Sequence, residues 1–375
     1  MKDFRKYYIS IAGGLGNQML SYSLWYYLTY IKKKKTILFP ITEGLQDHNK
    51  LEINILFQDI KNISEEKKSI RRYRKTCSLI NKYLNKIGNI LGIKKNFDIS
   101  YILFTPLIIF PRYQTYTFIS EIIDDIRLVF KFPHDNDTRN RKLAKEMEMS
   151  QSVSIHVRRG DYQSKLVWRL LLGDICEKQY YDDAIAYIKK QFSVPKFYIF
   201  SDDITWCKQN LKLENAIYIN WNNGKNSFRD MQLMTHCKAN IIANSTFSLM
   251  ATWLNIHSDC IHIVPSKWTN TNPNLSYTKY IPSDWVTINN SQPFISIIIN
   301  NDVTYPAQIV NSILSQNISD YEIILPEKYS HLKRKDDRIK IGTKAIGHHI
   351  LKINNKEWKY GDRYYLQKLI IKHLD

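Results

Sequence analysis

The sequence predicts an α/β protein with doubly wound parallel sheets, and three features of the chain point to this class. The chain opens with a strand, a glycine turn and a helix, which is how a βαβ unit begins. Between Ser152 and Trp268, strands alternate with helices over short connections. At 375 residues the chain is too long for one ordinary core. We therefore expect two domains, over residues 1–135 and 136–290, and a small third piece over 291–375.

The first predicted strand covers Tyr8–Ala12, and the turn after it contains Gly13, Gly14 and Gly16. A helix is expected over Asn17–Tyr30, and a second strand in KKKKTILFP. The turn is similar to the Gly-x-Gly-x-x-Gly fingerprint of dinucleotide sites but lacks its last glycine, so it does not identify such a site. Glycines here would let the backbone approach a ligand closely, with the amide of Asn17 as a donor.

The chain is strongly basic, with 54 Lys and Arg against 35 Asp and Glu and a net charge of +19. This charge favours a polyanionic partner, which is a nucleic acid, an anionic bilayer or a phosphorylated substrate. The basic stretch Ile60–Lys95 has helical apolar spacing, and it is either a surface helix or a helix that lies on an anionic membrane. The apolar run Ile99–Phe110 is shorter than the ~20 residues that span a bilayer.

The five cysteines are scattered singly, without a Cys-x-x-Cys pair. This spacing argues against a zinc site and is typical of reduced thiols in the cytoplasm. The apolar run after Met1 ends at Gly13, so we recognise no signal peptide. These features predict a cytoplasmic protein.

A polar stretch, Pro133–Asn140, marks the predicted boundary between the two domains. The strand Ser152–Val157 follows it, and alternation along a strand places His156 and Arg158 on the same, polar side. We predict that this strand is half buried. Its polar side would emerge at the carboxyl end, which is where open α/β sheets bind their ligands.

Arg158, Arg159 and Asp161 then lie at the mouth of a site. An arginine fork matches the geometry of a phosphate and stays charged at any working pH. Asp161 could anchor one guanidinium and leave the other for the ligand. The alternative is an Arg–Asp pair that only ties down a surface loop.

Two further strand ends carry polar residues. One strand-to-helix junction has four of them, Asn244, Ser245, Thr246 and Ser248. They are either helix caps or part of an anion site at a helix N-terminus. Asp202 and Asp203 end another strand at the same sheet edge. Adjacent aspartates suggest a divalent metal, but no third ligand is spaced to complete the site, so we expect none.

Six stretches carry a resemblance to a known family, and they are GGLGNQM, DHNKLEINILF, RYQTYTFI, HVRRGDY, FYIFSDDITWCKQNL and DMQLMTHCKANIIANSTFSLMATWLN. In this order they resemble the bacterial α-1,2-fucosyltransferases, family 11 of the glycosyltransferases. The resemblance covers about residues 7–270. It implies two Rossmann-like domains that face each other across a cleft, the GT-B type. It also implies inverting transfer of L-fucose from GDP-fucose to a sugar hydroxyl, usually of terminal galactose, without an obligatory metal.

The resemblance implies roles for the site residues as well. GDP leaves with growing negative charge, and without a metal this charge must be met by arginines and helix N-termini. Arg158 is expected at the β-phosphate, His156 to orient the diphosphate or the base, and Asp161 to hold the arginines. Asp230 is expected to accept from guanine. The full set of expected donor-binding residues is Gly14, Asn17, Arg159, Asp202, Asp230, Asn244, Ser245, Thr246 and Ser248. The general base is left open.

The chain departs from the family pattern at Ala239, where the family has a histidine, and at Leu249 and Met250, where it has two tryptophans. These changes bear on acceptor preference and donor-site packing. The segment Gln163–Asp174 is expected to form an acceptor-side loop, where we expect specificity to lie.

The stretch Pro293–Ser330 resembles the start of the family 2 glycosyltransferases. Its second strand ends in LPEKYS, without the paired aspartates of that family. We interpret residues 291–375 as a truncated module without catalysis of its own, which contacts another glycosyltransferase, stacks on the main body or is a remnant. The alternative is an unrelated α/β appendage.

Two rival functions are a GDP-sugar transferase of other linkage or acceptor, and a basic nucleic-acid-binding protein. The second is disfavoured, because aromatic and basic residues are not interleaved along a strand as a single-strand platform requires. The expected acceptor is a lipid-linked or lipopolysaccharide oligosaccharide, made at the inner membrane, whose anionic face would suit a basic protein.

Overall fold

The structure is a computed structural model, and it describes residues 6–41, 45, 49–68, 71–72, 75–76, 79, 107–109, 117–270, 281–290, 292–314, 320–333, 336–354, 366, 369–370 and 372. Most of the predicted basic helix over Ile60–Lys95 lies outside the described residues. So does the apolar run Ile99–Phe110, apart from its strand at 107–109. Of the helices that the structure describes, none is both long and apolar enough to cross a lipid bilayer.

The described strands form three sheets. The first has the order β2-β1-β3, with β1 Lys6–Ile11, β2 Lys35–Pro40 and β3 Leu107–Ile109. The second has the order β6-β5-β4-β7-β8-β9, with β4 Gln151–Val157, β5 Pro195–Ser201, β6 Ala216–Ile219, β7 Ala239–Ile241, β8 Ile261–Pro265 and β9 Val286–Ile288. The third has the order β12-β11-β10-β13, with β10 Ile295–Ile299, β11 Tyr321–Leu325, β12 Ile339–Ile341 and β13 His349–Ile353.

Helices connect these strands. They are α1 Leu15–Tyr26, α2 Ile53–Leu56, α3 Ile123–Val129, α4 Thr138–Met149, α5 Gly160–Ser164, α6 Leu166–Leu172, α7 Lys178–Gln191, α8 Ile204–Asn210, α9 Phe228–Met234, α10 Thr246–Trp253 and α11 Pro306–Leu314. Helix α1 continues as a π-helical turn over Tyr27–Ile31. Short 3-10 turns cover Thr117–Ile122, Gly224–Asn226 and Glu327–Leu332. The strand β1 pairs in parallel with β2 and β3, β4 with β5 and β7, and β10 with β11 and β13. The predicted α/β class is confirmed.

The strand β4 is buried on both faces, and the prediction of a half-buried strand is wrong. Val153 and Ile155 on one face are fully buried, and so are Ser152 and Ser154 on the other. The Ser152 hydroxyl donates to the carbonyl of Met147 at 2.6 Å, and the Ser154 hydroxyl accepts from the Asn240 amide at 2.6 Å. Small hydroxyls with local partners can therefore sit in the core of a parallel sheet, which is covered on both sides.

The strand order of the second sheet reverses at β4. From β4 the chain moves outward through β5 to β6, and then returns to β7 on the other side of β4. Such a reversal leaves a crevice outside the carboxyl ends of the two strands, and open α/β sheets bind ligands there. Here the point of reversal is beyond Val157 and Ile241, the ends of β4 and β7.

The chain divides into two compact units. The first contains Met1–Arg158, Asp182–Val264 and Thr278–Val286, and the second contains Arg159–Tyr181, Pro265–Tyr277 and Thr287–Asp375. The first sheet lies in the first unit and the third sheet in the second. The predicted domain boundaries at 135 and 290 fall between the sheets, and they stay predictions.

Candidate functional site

The first unit brings Arg158 and Asp202 together. In the parallel register of β4 and β5, His156 pairs with Phe200 and Val157 with Ser201. The residues that follow the two strands, Arg158 and Asp202, therefore lie side by side. Arg158 Nη1 lies 2.9 Å from Asp202 Oδ2, with the side chains 30% and 26% exposed. A partly exposed pair of this kind adds about 1 kcal/mol at most to stability, so its main effect is to orient the guanidinium.

The two adjacent aspartates have different surroundings. Asp203 is the N-cap of α8, because its Oδ1 accepts from the backbone N–H of Trp206 at 2.9 Å. Its own N–H donates to the Ser201 hydroxyl at 2.9 Å. Asp202 thus pairs with Arg158, and Asp203 caps a helix. Within the described ranges, no three His, Cys, Asp or Glu side chains come together to hold a metal ion.

His156 lies buried next to the arginine. Its ring centroid is 5.7 Å from that of Phe247 in α10, with 33° between the planes. Burial lowers the pKa of His156 to about 4, and the charge of Asp202 opposes this shift while that of Arg158 adds to it. The imidazole is therefore neutral near pH 7, and it can orient a ligand by hydrogen bonding without adding positive charge.

The junction between β7 and α10 contains the four predicted polar residues. Ser245 is the N-cap of α10, and its hydroxyl accepts from the N–H of Phe247 at 3.3 Å. Ser248 is fully buried, and its hydroxyl donates to the carbonyl of Ser245 at 3.3 Å. Asn244 is also buried. Ser245 therefore caps the helix, and Ser248 bonds back to the helix backbone.

The glycine turn after β1 packs against this same helix end. A Cβ atom on Gly16 would lie 2.5 Å from the backbone carbonyl carbon and oxygen of Thr246. The Thr246 hydroxyl donates to Asn17 Oδ1 at 2.9 Å. Gly16 is therefore required for contact with the protein's own backbone, whereas the sequence predicted an approach to a ligand. Gly14 is the N-cap of α1, and Gly13 has a φ of +77°, which favours glycine.

Asp230 ends a chain of polar side chains in the first unit. Asn222 Nδ2 donates to Asp230 Oδ1 at 2.8 Å, and Asn140 Nδ2 donates to Asn222 Oδ1 at 2.9 Å. The indole of Trp221 donates to Asn140 Oδ1 at 2.8 Å. Burial raises the pKa of Asp230 to about 7, although the hydrogen bond from Asn222 opposes the shift. Asn140 and Asn222 could not be predicted as site residues, because isolated asparagines in polar stretches carry no signal of their own.

Gln18, in the predicted motif GGLGNQM, holds the loop before α2. Its Oε1 accepts from the N–H of Glu52 at 2.8 Å, and its Nε2 donates to the carbonyls of Gly13 and Lys50 at 2.9 and 2.7 Å. From this loop Asn49 Nδ2 donates to the carbonyl of Gly224 at 2.9 Å. Gln18 therefore ties the glycine turn to a loop that contacts the segment before Asp230.

The second unit begins with the other arginine of the predicted site. Arg159 Nη1 lies 3.0 Å from Glu177 Oε1. The carbonyl of Arg159 accepts from the N–H of Gln163 at 2.7 Å, which starts α5. Asp161 lies in the first turn of that helix. Arg158 thus pairs with Asp202 and Arg159 with Glu177, and the anchoring role expected of Asp161 stays a prediction.

The three departures from the family pattern lie in the core. Ala239 and Met250 are fully buried and Leu249 is 1% exposed. Their side chains pack inside the second sheet and α10, so the changes affect core packing behind the junction.

The chain matches a known protein family over most of its length. The sequence pattern described as Glycosyl transferase family 11 matches residues 1–289. An alpha-1,2-colitosyltransferase from Escherichia coli is 37% identical over 40% of this chain and 51% of its own length. The O-antigen biosynthesis glycosyltransferase WbnK from Escherichia coli is 29% identical over 75% of this chain and 100% of its own.

A cattle protein, galactoside alpha-(1,2)-fucosyltransferase 2, is 29% identical over 28% of this chain and 31% of its own length. The chain thus spans about half of the colitosyltransferase, about a third of the cattle protein and all of WbnK. Among solved structures, fucosyltransferase NodZ from Bradyrhizobium has a TM-score of 0.39 and 15% identity, over 67% of this chain and 92% of that chain. A likeness at that score carries no conclusion about this protein.

Proposed function

Since the chain belongs to glycosyltransferase family 11, we propose that it transfers L-fucose from GDP-fucose to the 2-hydroxyl of a terminal galactose in a bacterial surface glycan. The match covers residues 1–289. The names of two relatives, an α-1,2-colitosyltransferase and an α-(1,2)-fucosyltransferase, support the linkage. The name of WbnK supports a surface polysaccharide as the product's destination.

The observation that carries this proposal is the arginine held at the crevice of the second sheet. Arg158 is fixed by Asp202 at 2.9 Å, beyond the end of β4. The N-terminus of α10 follows the neighbouring strand β7. A guanidinium and free helix N–H groups are the groups that stabilise a leaving diphosphate when no divalent ion is used.

The proposed reaction is a single displacement with inversion. The acceptor hydroxyl oxygen forms a bond to C1 of fucose while the bond from C1 to the β-phosphate oxygen breaks. GDP leaves with the electron pair, and the hydroxyl proton passes to a base or to water. Arg158 meets the growing charge on the β-phosphate, and the neutral imidazole of His156 orients the diphosphate or the base end of GDP.

The guanine base is proposed to bind at Asp230. Guanine presents the N1 and N2 donors side by side, and an ionised carboxylate can accept both. The relay from Asn140 through Asn222 would hold one oxygen of Asp230 and leave the other for the base. Asp161 is proposed to hold the arginines. The rest of the proposed donor set consists of Gly14, Asn17, Arg159, Asp202, Asn244, Ser245, Thr246 and Ser248.

The place of action is also a proposal. The acceptor would be a lipid-linked or lipopolysaccharide oligosaccharide, so the enzyme would be cytoplasmic and would meet the anionic inner membrane through its basic face. Vesicles of anionic and of neutral lipid, compared by sedimentation at increasing salt, would test this. Equal binding to both would contradict it.

The reaction is tested with purified protein, GDP-fucose and an array of galactose-terminated oligosaccharides, followed by linkage analysis of the product. An α-1,2-fucosylated product is expected. Retardation of oligonucleotides in 200 mM salt without any binding of GDP would favour the nucleic-acid alternative.

A second candidate is supported by the relative with 37% identity, which is named for transfer of colitose. The chain would then make the same α-1,2 linkage with a different sugar. Competition between GDP-fucose and GDP-colitose in one reaction separates the two, since the preferred donor has the larger kcat/KM.

A further inference from the structure

The C-terminal module, residues 291–375, lies beyond the part of the chain that the family accounts for. The family match ends at residue 289, and the whole of WbnK is matched by 75% of this chain. The module nevertheless has its own parallel sheet, β10 to β13, and a core of buried apolar residues such as Ile297, Ile309 and Ile323. A module with its own core, outside the family match, can contribute something that the family pattern does not account for.

The module is attached to the rest of the second unit by buried polar contacts. Lys267 forms an ion pair with Asp320, and its Nζ also donates to the carbonyl of Gln292 at 3.1 Å. Asp320 Oδ2 accepts from the N–H of Phe294 at 3.0 Å. Buried pairs are costly to break, so the module is held in one position within this unit.

The segment Gln163–Asp174, which the sequence predicts as an acceptor-side loop, is largely helical, as the end of α5 and the helix α6. One contact from the module reaches this segment. His349 Nε2 lies 2.8 Å from Asp174 Oδ2, and its ring packs 5.0 Å from that of Phe294. Leu170, on α6, packs against the core of the module. The end of this segment is thus held by both a hydrogen bond and an apolar contact from residues 291–375.

Asp174 in turn contacts two other residues of the same segment. Its Oδ1 accepts from Gln163 Nε2 at 3.0 Å, and its Oδ2 lies 3.4 Å from Arg169 Nε. The backbone N–H of Gln163 in turn donates to the carbonyl of Arg159 at 2.7 Å. Burial acts to raise the pKa of Asp174, but the hydrogen bonds from His349 and Gln163 hold it at about 2. The carboxylate is therefore ionised at any physiological pH.

Asp174 has an unusual backbone conformation, with a φ of +55°. The residue before it, Gly173, has no room for a side chain, because a Cβ there would lie 2.7 Å from the carbonyl oxygen of Tyr162. The Gly173 carbonyl accepts from Asn270 Nδ2 at 2.9 Å. This end of the segment is thus closely packed. The left-handed backbone conformation of Asp174 is unfavourable by itself, and the hydrogen bonds from His349 and Gln163 help to maintain it.

We propose that the C-terminal module is a positioning element for the glycosyl transfer, and that His349 acts by fixing Asp174 and through it the segment Arg159–Leu172. The proposal rests on the proposed function, in which Arg159 and Asp161 serve the donor and Gln163–Asp174 faces the acceptor. His349 does not touch the substrate. It fixes the position of a segment that is proposed to touch the substrate. Residues outside a binding site commonly hold the binding residues in their productive geometry in this way.

The test compares His349→Ala with His331→Ala, which removes an exposed imidazole from the same module. Loss of positioning by His349→Ala should lower kcat/KM for the acceptor about tenfold, because small misplacements at a reaction centre are costly. The Kd for GDP should rise less, by about threefold, because Arg159 and Asp161 belong to the segment that His349 orders, whereas Arg158 and Asp230 lie in the first unit. His349→Gln keeps a donor for Asp174 and should recover most of the activity.

A second readout does not depend on activity. Amide hydrogen exchange over residues 160–172 should be faster in His349→Ala than in His331→Ala, with the rest of the chain unchanged. Asp174→Asn should give a similar loss, and the double variant should lose little more than either single variant. If His349→Ala fails to fold, His349→Gln and Asp174→Asn decide the question by the same two readouts.

The outcomes separate the two proposals. Wild-type activity and unchanged exchange in His349→Ala would overturn the positioning role, and so would additive losses in the double variant. If the wild-type protein transfers no fucose at all, the proposed function fails. Hydrogen exchange then decides alone, with faster exchange over 160–172 supporting the role of His349 and unchanged exchange rejecting it.

Discussion

Asp202, at the end of β5, holds the guanidinium of Arg158 at the end of β4, with 2.9 Å between Oδ2 and Nη1. The pair results directly from the strand register. Val157 lies opposite Ser201, so the residues that follow them, Arg158 and Asp202, lie side by side. The ion pair therefore fixes the orientation of the guanidinium beyond the carboxyl end of β4.

Arg158→Ala should lower kcat by about a hundredfold or more, because one preorganised charge donor at a developing anion contributes this much. The fold should persist, since the side chain is 30% exposed. Turnover of GDP-fucose and the far-ultraviolet circular dichroism spectrum measure the two effects. Near-normal turnover in the folded variant would remove the central role of Arg158.

Asp202→Asn should have a smaller effect on turnover than Arg158→Ala. The amide can still accept from Arg158, but it lacks the charge that orients the guanidinium. Asp203→Asn is the matched control, because it changes a helix cap and not the ion pair. Equal losses of kcat in the two variants would mean that the ion pair does not matter to the chemistry.

GDP binding should strengthen as the pH rises through about 7. The pKa of Asp230 is raised to about 7 by burial, so its carboxyl group is largely protonated below that pH and ionised above it. Only the ionised form can accept from both N1 and N2 of guanine. Calorimetric titration between pH 6 and 8.5 should show this trend in the wild type and not in Asp230→Asn.

Inosine diphosphate provides the control for this prediction, because its base lacks the 2-amino group. The wild-type protein should prefer GDP, and Asp230→Asn should bind the two nucleotides about equally. A variant that keeps its preference for GDP would place the guanine elsewhere.

Gly16→Ala should destabilise the first unit by more than about 2 kcal/mol, because its Cβ would collide with backbone atoms that cannot move aside. Those atoms belong to Thr246, and the distance is 2.5 Å. Gly224→Ala is the control, since a Cβ there meets nothing within 4 Å and only the φ of +57° is unfavourable. Its expected cost is about 1 kcal/mol. Urea unfolding measures both, and equal midpoints would contradict the close contact.

Treatment with EDTA should leave the rate of transfer unchanged, because Arg158 and the N-terminus of α10 are proposed to meet the charge of the leaving diphosphate. Activity after exhaustive dialysis, with and without added Mn²⁺ or Mg²⁺, is the measurement. Strict dependence on either ion would mean that the carboxylates at Asp202 and Asp203 act differently from our proposal.

The family predicted from the motifs is confirmed by the match over residues 1–289, and with it the prediction of a glycosyltransferase. The resemblance of Pro293–Ser330 to family 2 lies outside that match and stays a prediction. The third sheet does contain the predicted strand, helix and strand, as β10, α11 and β11. The LPEKYS stretch enters the 3-10 turn Glu327–Leu332.

The alternation of strands and helices was readable from the residues because it depends on local periodicity, turn glycines and helix caps. The burial of β4 on both faces was not, because Ser152 and Ser154 look like surface residues until their partners Met147 and Asn240 are known. Gly16 was singled out correctly as a place of close approach, but what approaches it is the backbone of Thr246.

The order of residues along the chain was enough to place Arg158, Asp202 and Ser245 at strand ends and to identify the family. It could not choose Asp202 as the partner of Arg158, or join His349 to Asp174 across 175 positions. Such pairs depend on strand register and on how distant segments pack. Those are properties of the whole folded chain, and no local pattern of apolar and polar residues encodes them.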